Sequence, residues 1–254
     1  MPEPRPLITL LTDFGLNDAY AGVMKGVIAS VCPGARVIDL THGIPPQDVP
    51  AAAWVLATNR RYFPDDTVHT AVVDPGVGSD RRMLAAEAGG QVFVAPDNGL
   101  LSLVLADARP DVLVSVESEG LYRKPVSRTF HGRDVFAPVA AAIAGGKPVA
   151  ELGPATDEWL RLPPLRLERR SGGVVEGQVV YVDHFGNLVT NIPADDVPST
   201  PQVEIAGHTI TALSRSYAAA GVDELLTVIG SSETLEISVR GGSAAEQLRA
   251  AAGD

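Results

Sequence analysis

Apolar and polar positions follow two rhythms along this chain, and the rhythm changes once. Residues 7 to 12, "LITLLT", form an almost continuous apolar run, which predicts a strand buried on both faces. Tyr20, Val23, Met24, Val27, Ile28 and Val31 then recur three and four apart, the spacing of an amphipathic helix. Asn17 or Asp18 is placed to cap its start, and Pro33-Gly34 to stop it. "RVIDL" (36–40) predicts a second strand, "QDVPAAAWVLATNRRYF" (47–63) a second helix, and "TVHTAVVD" (67–74) a third strand ending at Asp74. "MLAAEA", "QVFVA" and "DVLVSV" add strands, and "DVFAPVAAAIAGG" (134–146) a helix closed by glycines. Strands alternating with helices predict an α/β domain with a mostly parallel sheet flanked by helices.

From Pro154 to Gly173 the composition shifts to proline and arginine, "PATDEWLRLPPLRLERRSGG", as in an inter-domain linker. After it the pattern is strand throughout: "VVEGQVVYVD", "GNLVTNI", "QVEIAG", "HTITAL", "LLTVIG" and "TLEISVR". The expected organisation is an α/β domain over 1–153, a linker over 154–173, and a small antiparallel β-barrel-like domain over 174–254 that ends in a short helix at "SAAEQLRAA".

Composition narrows the classes of function. A net charge of −11 argues against nucleic acid and anionic membranes as partners. The single cysteine, Cys32, rules out an intrachain disulfide and a thiolate metal cluster. The opening "MPEPRPLITL" lacks the basic-then-apolar form of a signal peptide, and no apolar run reaches the length of a membrane span. The expectation is a soluble, cytoplasmic protein.

The first chemical question is raised by "TDFG" at 12–15, because protein kinases hold magnesium with DFG. A kinase needs a glycine-rich loop, a strand lysine and an HRD loop before DFG, and twelve residues leave no room for them. "DPGVGS" (74–79) lacks the lysine of a phosphate-binding loop. Position is the better guide. Asp13 and Asp74 stand at carboxyl ends of predicted parallel strands, where open α/β sheets bind ligands, although such an aspartate also serves as a helix cap. Arg81 lies beyond the turn after Asp74, and "TFHGRD" supplies His131 from a loop. An acid, a guanidinium and an imidazole brought together could position a water, but spacing alone leaves their meeting open. In the second domain "DHFGNLVTN" carries Asp183, Asn187 and Asn191 in a strand–turn–strand unit, and "IGSSETLEISV" reads as a hairpin with Ser231 and Ser232 in its turn.

The segments "LTDFGLNDAY", "HGIPPQD", "VVDPGVGSDRR", "APDNGLL", "TFHGRDVFAP", "DHFGNLVTNI" and "GSSETLEISV" occur in order across both domains. Together they resemble the S-adenosylmethionine hydrolases that form adenosine, the hydroxide adenosyltransferases, which are relatives of the fluorinase and chlorinase. The resemblance implies that Asp13 grips the ribose hydroxyls, that Asp18 and Asp183 lie near the methionine ammonium, and that Asn187 meets the adenine edge. It implies that Ser231, Ser232, Glu236 and Val239 complete the contacts, partly through backbone, with Tyr217 stacking on adenine. It further implies a homotrimer whose sites lie between the first domain of one subunit and the second domain of its neighbour, with S-adenosylmethionine as substrate and neither cofactor nor metal.

Within that family Asp74 favours water over halide. The halogenases have tyrosine at the matching position, and a carboxylate there repels an incoming anion. Gly132 stands where the fluorinase has a serine that touches fluoride, though the chlorinase also has glycine there. The implied reaction is in-line attack of water at ribose C5′, with methionine leaving as a neutral thioether. An ordinary carboxylate titrates near 4 and is a weak base for water, so Asp74 and His131 both stand as candidates for the proton. A halogenase and a non-catalytic S-adenosylmethionine or adenosine binder are the alternatives.

Overall fold

The computed structural model describes residues 6–254. The elements of its first unit, which ends at Leu162, run in the order β1 (Leu7–Thr12), α1 (Tyr20–Val31), β2 (Arg36–Thr41), α2 (Val49–Asn59), β3 (Val68–Val72), β4 (Met83–Ala88), β5 (Gln91–Pro96), α3 (Ser102–Asp107), β6 (Val112–Ser115) and α4 (Ala137–Ala144). One six-stranded sheet holds the strands in the order β2-β1-β3-β5-β4-β6. β2, β1, β3 and β5 are mutually parallel, and only β4 runs against its neighbours. The reversal follows from the two-residue turn between β4 and β5, where Gly89 and Gly90 both adopt positive φ. Phe93, Phe136, Ile8, Leu10, Met24 and Ile28 are fully buried between sheet and helices.

Local signals explain most helix ends. Asp48 caps α2 by accepting a 2.9 Å bond from the Ala51 amide, with Pro50 in the first turn. α1 differs from expectation: it starts on Ala19 without a side-chain cap, and Asn17 and Asp18 lie exposed in the preceding bend. α3 follows Gly99 and is too short for its periodicity to show. α4 is entered through a π-helical turn, Gly132–Phe136, closed by the Ala137 amide on the Gly132 carbonyl. Pro138 has no amide hydrogen, so the Asp134 carbonyl is left for the Arg123 amide, which donates to it at 2.8 Å.

The proline- and arginine-rich segment is fastened rather than loose. Pro154–Thr156 satisfies the outer edge of β6, with Ser115 donating to Pro154 at 3.0 Å and Thr156 to Leu113 at 2.9 Å. Leu160 and Leu162 donate to the side chains of Asp97 and Ser102. From Pro163 the chain belongs to the second unit.

That unit contains β7 (Glu168–Arg169), β8 (Val175–Glu176), β9 (Val179–Val182), β10 (Leu188–Pro193), β11 (Val203–Ile205), β12 (His208–Ile210), β13 (Leu225–Ile229), β14 (Thr234–Val239) and α5 (Ala244–Leu248). The strand expected over "VVEGQVVYVD" breaks at Gly177, where a Cβ would stand 2.5 Å from Ile192 Cγ1. β13, β14, β10 and β9 make a four-stranded antiparallel sheet, and β7–β8 and β11–β12 make two short antiparallel ribbons. Val179, Leu188, Ile237, Val239 and Leu248 form its apolar core. No helix of the described residues is long and apolar enough to cross a membrane.

Candidate active site

β1 and β3 are neighbouring parallel strands in a register that pairs Thr12 with Val72, so Asp13 and Asp74 emerge at the same sheet edge. That edge is the carboxyl end, where side chains face open space instead of the sheet interior. The turn bearing Asp13 is held by the "HGIPPQD" segment. The Gln47 amide donates to Asp13 Oδ2 at 2.8 Å, and the Gly15 amide, at φ +67, donates to the His42 carbonyl at 2.8 Å. Thr12 Oγ1 lies 2.8 Å from His42 Nδ1 and accepts from the Phe14 amide. Asp13 is therefore oriented by backbone, and its remaining lone pairs suit a ligand offering two hydroxyl donors.

The structure brings Asp74, Arg81 and His131 together. Arg81 Nε donates to Asp74 Oδ1 and Oδ2 at 2.8 and 2.9 Å, and Nη2 makes a still closer contact with Oδ2. The same Nη2 lies 2.8 Å from His131 Nδ1. The guanidinium sits 5.4 Å over the Phe136 ring. The Asp74 and Arg81 side chains are 5% and 13% exposed, so the ion pair is largely withdrawn from water.

This geometry settles the form of His131. A guanidinium has only donors, so Nδ1 must be the acceptor and the ring proton must sit on Nε2. Burial lowers the His131 pKa first and the Arg81 charge lowers it further, against the opposing charges of Asp74 and Asp134. In this arrangement the neutral ring presents an Nε2–H donor, and the lone pairs that face a proton belong to Asp74.

Two glycines let these loops close. Gly78, at φ +81, lies so near the next loop that a Cβ would stand 2.3 Å from the Arg128 carbonyl. At Gly132 a Cβ would meet Met24 Sδ, Phe130 Cε2 and Phe14 Cζ at 3.1 to 3.3 Å. Phe130 packs edge to face against both Phe14 and Tyr20, whose rings are tilted against each other. Buried Asp134 anchors the His131 loop by accepting from the Ser127 amide at 2.9 Å and from Arg133 Nε and Nη2 at 2.7 Å each.

The second unit has its own polar group. Asp183 Oδ1 accepts from the Phe185 and Asn187 amides at 2.8 and 2.9 Å, and Oδ2 accepts from Asn187 Nδ2 at 2.8 Å. One Asn187 amide hydrogen is thereby committed, leaving its other N–H and its carbonyl. Tyr217 donates its hydroxyl to Glu236 Oε1 at 2.7 Å, and Ser238 donates to the same oxygen at 2.8 Å. Partial burial, that hydrogen bond, and the charges of Glu236 and Asp183 push the Tyr217 phenol up. Ser238 was not anticipated, though its place two residues after Glu236 puts it on the same face of β14. The Val239 side chain belongs to the apolar core, and its carbonyl accepts from the Gly242 amide at 3.3 Å. Ser231 and Ser232 occupy the β13–β14 turn, where Glu233 adopts φ +61. Asp18 lies exposed on the bend before α1. Among the described residues no cluster of three His, Cys, Asp or Glu side chains is arranged to hold a metal ion.

Comparison with known proteins places the sequence. Residues 8–153 match the SAM hydroxide adenosyltransferase N-terminal domain, and residues 177–254 match the corresponding C-terminal domain. An (R)-S-adenosyl-L-methionine hydrolase of Salinispora arenicola is 40% identical over 252 residues, covering 98% of this chain and 96% of its own length. A fluorinase of an Actinoplanes species is more distant, 29% identical over 76% of this chain and 73% of its own length. An uncharacterized conserved protein from Thermotoga maritima, solved by crystallography, superposes with a TM-score of 0.90 at 36% identity, covering 97% of both chains.

Proposed function

This chain is a member of the SAM hydroxide adenosyltransferase family, and from that premise we propose that it hydrolyses S-adenosyl-L-methionine to adenosine and L-methionine. The observation that carries this reading is the single Arg81 guanidinium joining Asp74 to the Nδ1 of His131 at the sheet edge that also bears Asp13.

In this mechanism Asp13 accepts the ribose hydroxyls and fixes C5′ before the trio. A water molecule donates to the Asp74 carboxylate, whose oxygens keep lone pairs beside their bonds to Arg81, and accepts from His131 Nε2–H. Its oxygen attacks C5′ from the face opposite sulfur. The O–C5′ bond forms as the C5′–S bond breaks, and sulfur keeps the electron pair and departs as a neutral thioether. The water proton passes to Asp74 and on to solvent, while Arg81 stabilises negative charge growing on oxygen. Alignment carries much of the rate, and discharge of the sulfonium favours a site less polar than water. Asp18 and Asp183 serve the methionine ammonium and Asn187 the adenine edge. Ser231, Ser232, Tyr217, Glu236 and the Val239 backbone complete the contacts. We include the homotrimer in the proposal, with an expected solution mass near three times 26.5 kDa by light scattering.

The test is mass spectrometry of the products in 18O-labelled water, with chloride, with fluoride and with EDTA. The expected result is methionine and singly labelled adenosine in every arm. Product that forms only with halide, or activity abolished by EDTA, overturns the reading.

A further inference from the structure

"APDNGLL", part of the family-like pattern, has no role in the mechanism above. Its turn lies against the loop that carries Asp74 and Arg81 and touches both ends of it. At the leading end, Asn98 Nδ2 donates to the Val73 carbonyl at 2.8 Å, immediately before Asp74. At the trailing end, the Asp97 amide donates to the Arg82 carbonyl at 3.0 Å, immediately after Arg81. Asp97 Oδ2 also accepts from Arg82 Nε and Nη2 at 3.0 and 2.6 Å. The turn is itself braced. Asn98 Oδ1 accepts from the Leu100 amide at 3.2 Å, and Asp97 Oδ1 accepts from the Leu160 amide at 2.8 Å. Asp97 is 5% exposed, a buried carboxylate whose Oδ2 faces Arg82 and whose Oδ1 faces the Leu160 amide.

Between these ends the loop is held by the Asp74–Arg81 pair itself, by Ser79 Oγ, which donates to the Gly76 carbonyl at 2.7 Å and accepts from the Arg81 amide at 3.3 Å, and by Gly78 packed on the Arg128 carbonyl. Pro75, Val77, Gly78, Ser79 and Asp80 are exposed, and within the loop only two backbone bonds, Val77 to Asp74 and Ser79 to Gly76, close it on itself. A loop exposed along most of its length takes its position on the sheet edge from where its two ends are fixed. We propose that Asp97 and Asn98 are positioning residues for the reaction: they clamp Val73 and Arg82 so that Asp74 and Arg81 meet each other and His131 in reactive register. They touch no reacting atom and act through the loop. This inference rests on the hydrolase reading for its kinetic consequence, but not for its geometry.

Two variants of the full chain test it. Asn98→Asp keeps the oxygen that serves Leu100 and replaces the donor facing Val73 with a second oxygen. Arg82→Ala removes the guanidinium from Asp97, together with its Nη2 bond to the Glu158 carbonyl, at an exposed position. For Asn98→Asp, kcat is expected to fall about tenfold with KM within about twofold of the parent, because small misplacement of reacting groups slows chemistry more than binding. For Arg82→Ala a fall of about threefold is expected, partly rescued in Arg82→Lys, whose ammonium restores the charge without the two-point fork. Crystal structures of both variants are expected to show the Arg81–His131 contact lengthened. Parental kcat in both variants overturns the clamp, as does a kcat loss with the Asp74–Arg81–His131 distances unchanged, or a parallel loss of kcat, affinity and melting temperature. If Asn98→Asp does not fold, Arg82→Ala decides. A parent protein without turnover sinks the hydrolase reading, and the clamp is then judged by the variant structures alone.

Discussion

The two units hold their polar groups by different means. In the first, the contact between Arg81 and His131 spans 50 positions of sequence, joining the loop between β3 and β4 to the π-helical entry of α4. In the second, Asp183 and Asn187 are four apart in one turn, Glu236 and Ser238 are two apart on one strand, and Tyr217 reaches Glu236 across 19 positions. A long-range group depends on every loop that feeds it, whereas a local group depends mainly on its own hairpin. The first unit should therefore lose function and stability to distant changes, and the second chiefly to changes at the contact itself.

The sharpest way to break that comparison is Arg81→Ala, which severs Asp74 and His131 at one stroke. It should lower kcat by about 10²–10³-fold, the range for losing a preorganised charge, with a much smaller change in KM. Steady-state kinetics check it, and a comparable kcat loss in Asp183→Ala would erase the distinction. A pH titration comes next. Burial drives His69, in the middle of β3, down to about 4. Its folded pKa thus lies below the unfolded value near 6.5, so its contribution is complete above about 6.5 and is lost as pH falls toward about 4, amounting to roughly 3 kcal/mol. Both tryptophans, Trp54 and Trp159, lie in the first unit, so denaturant unfolding followed by tryptophan fluorescence reads that loss there.

Two glycines in matched backbone conformations give a finer contrast. Gly78→Ala, at φ +81 and 2.3 Å from the Arg128 carbonyl, should cost about 2–3 kcal/mol, combining backbone strain with a clash. Gly207→Ala, at φ +78 in the β11–β12 turn with open space around it, should cost only about 1 kcal/mol. Equal values in chemical denaturation would mean that crowding between loops does not matter in the first unit. Asp183→Ala frees Asn187 Nδ2 and removes the acceptor of the Phe185 and Asn187 amides. Substrate affinity should weaken about tenfold, the value of one hydrogen-bonded contact, with kcat little changed.

Much of this was legible in the order of residues. The apolar runs of β1, β3 and β5, the three- and four-spaced apolar face of α1, and the Asp48-x-Pro start of α2 each carry their own structural cause. The alternation of strand and helix predicts the parallel sheet, and the sheet predicts the edge where Asp13 and Asp74 stand. The polar members of the second unit lie within hairpins short enough to be read directly. What could not be read was the π-helical turn before α4 and the anchoring of Pro154–Leu162 to the first unit, since each depends on partners distant in sequence, and that α1 starts on Ala19 with no side-chain cap.

By itself the sequence determined most of the strands and helices, that the chain changes from α/β to antiparallel β, and which residues are equipped for chemistry, because those properties follow from local periodicity and side-chain type. Only the tertiary structure decided that Arg81 bridges Asp74 and His131, that the histidine proton sits on Nε2, and that the Asp97–Asn98 turn grips the loop between them. The physical reason is direction: a hydrogen bond requires a donor and an acceptor aimed at each other within about 3 Å, and across 50 positions that aim is set by strand register and loop packing rather than by residue identity.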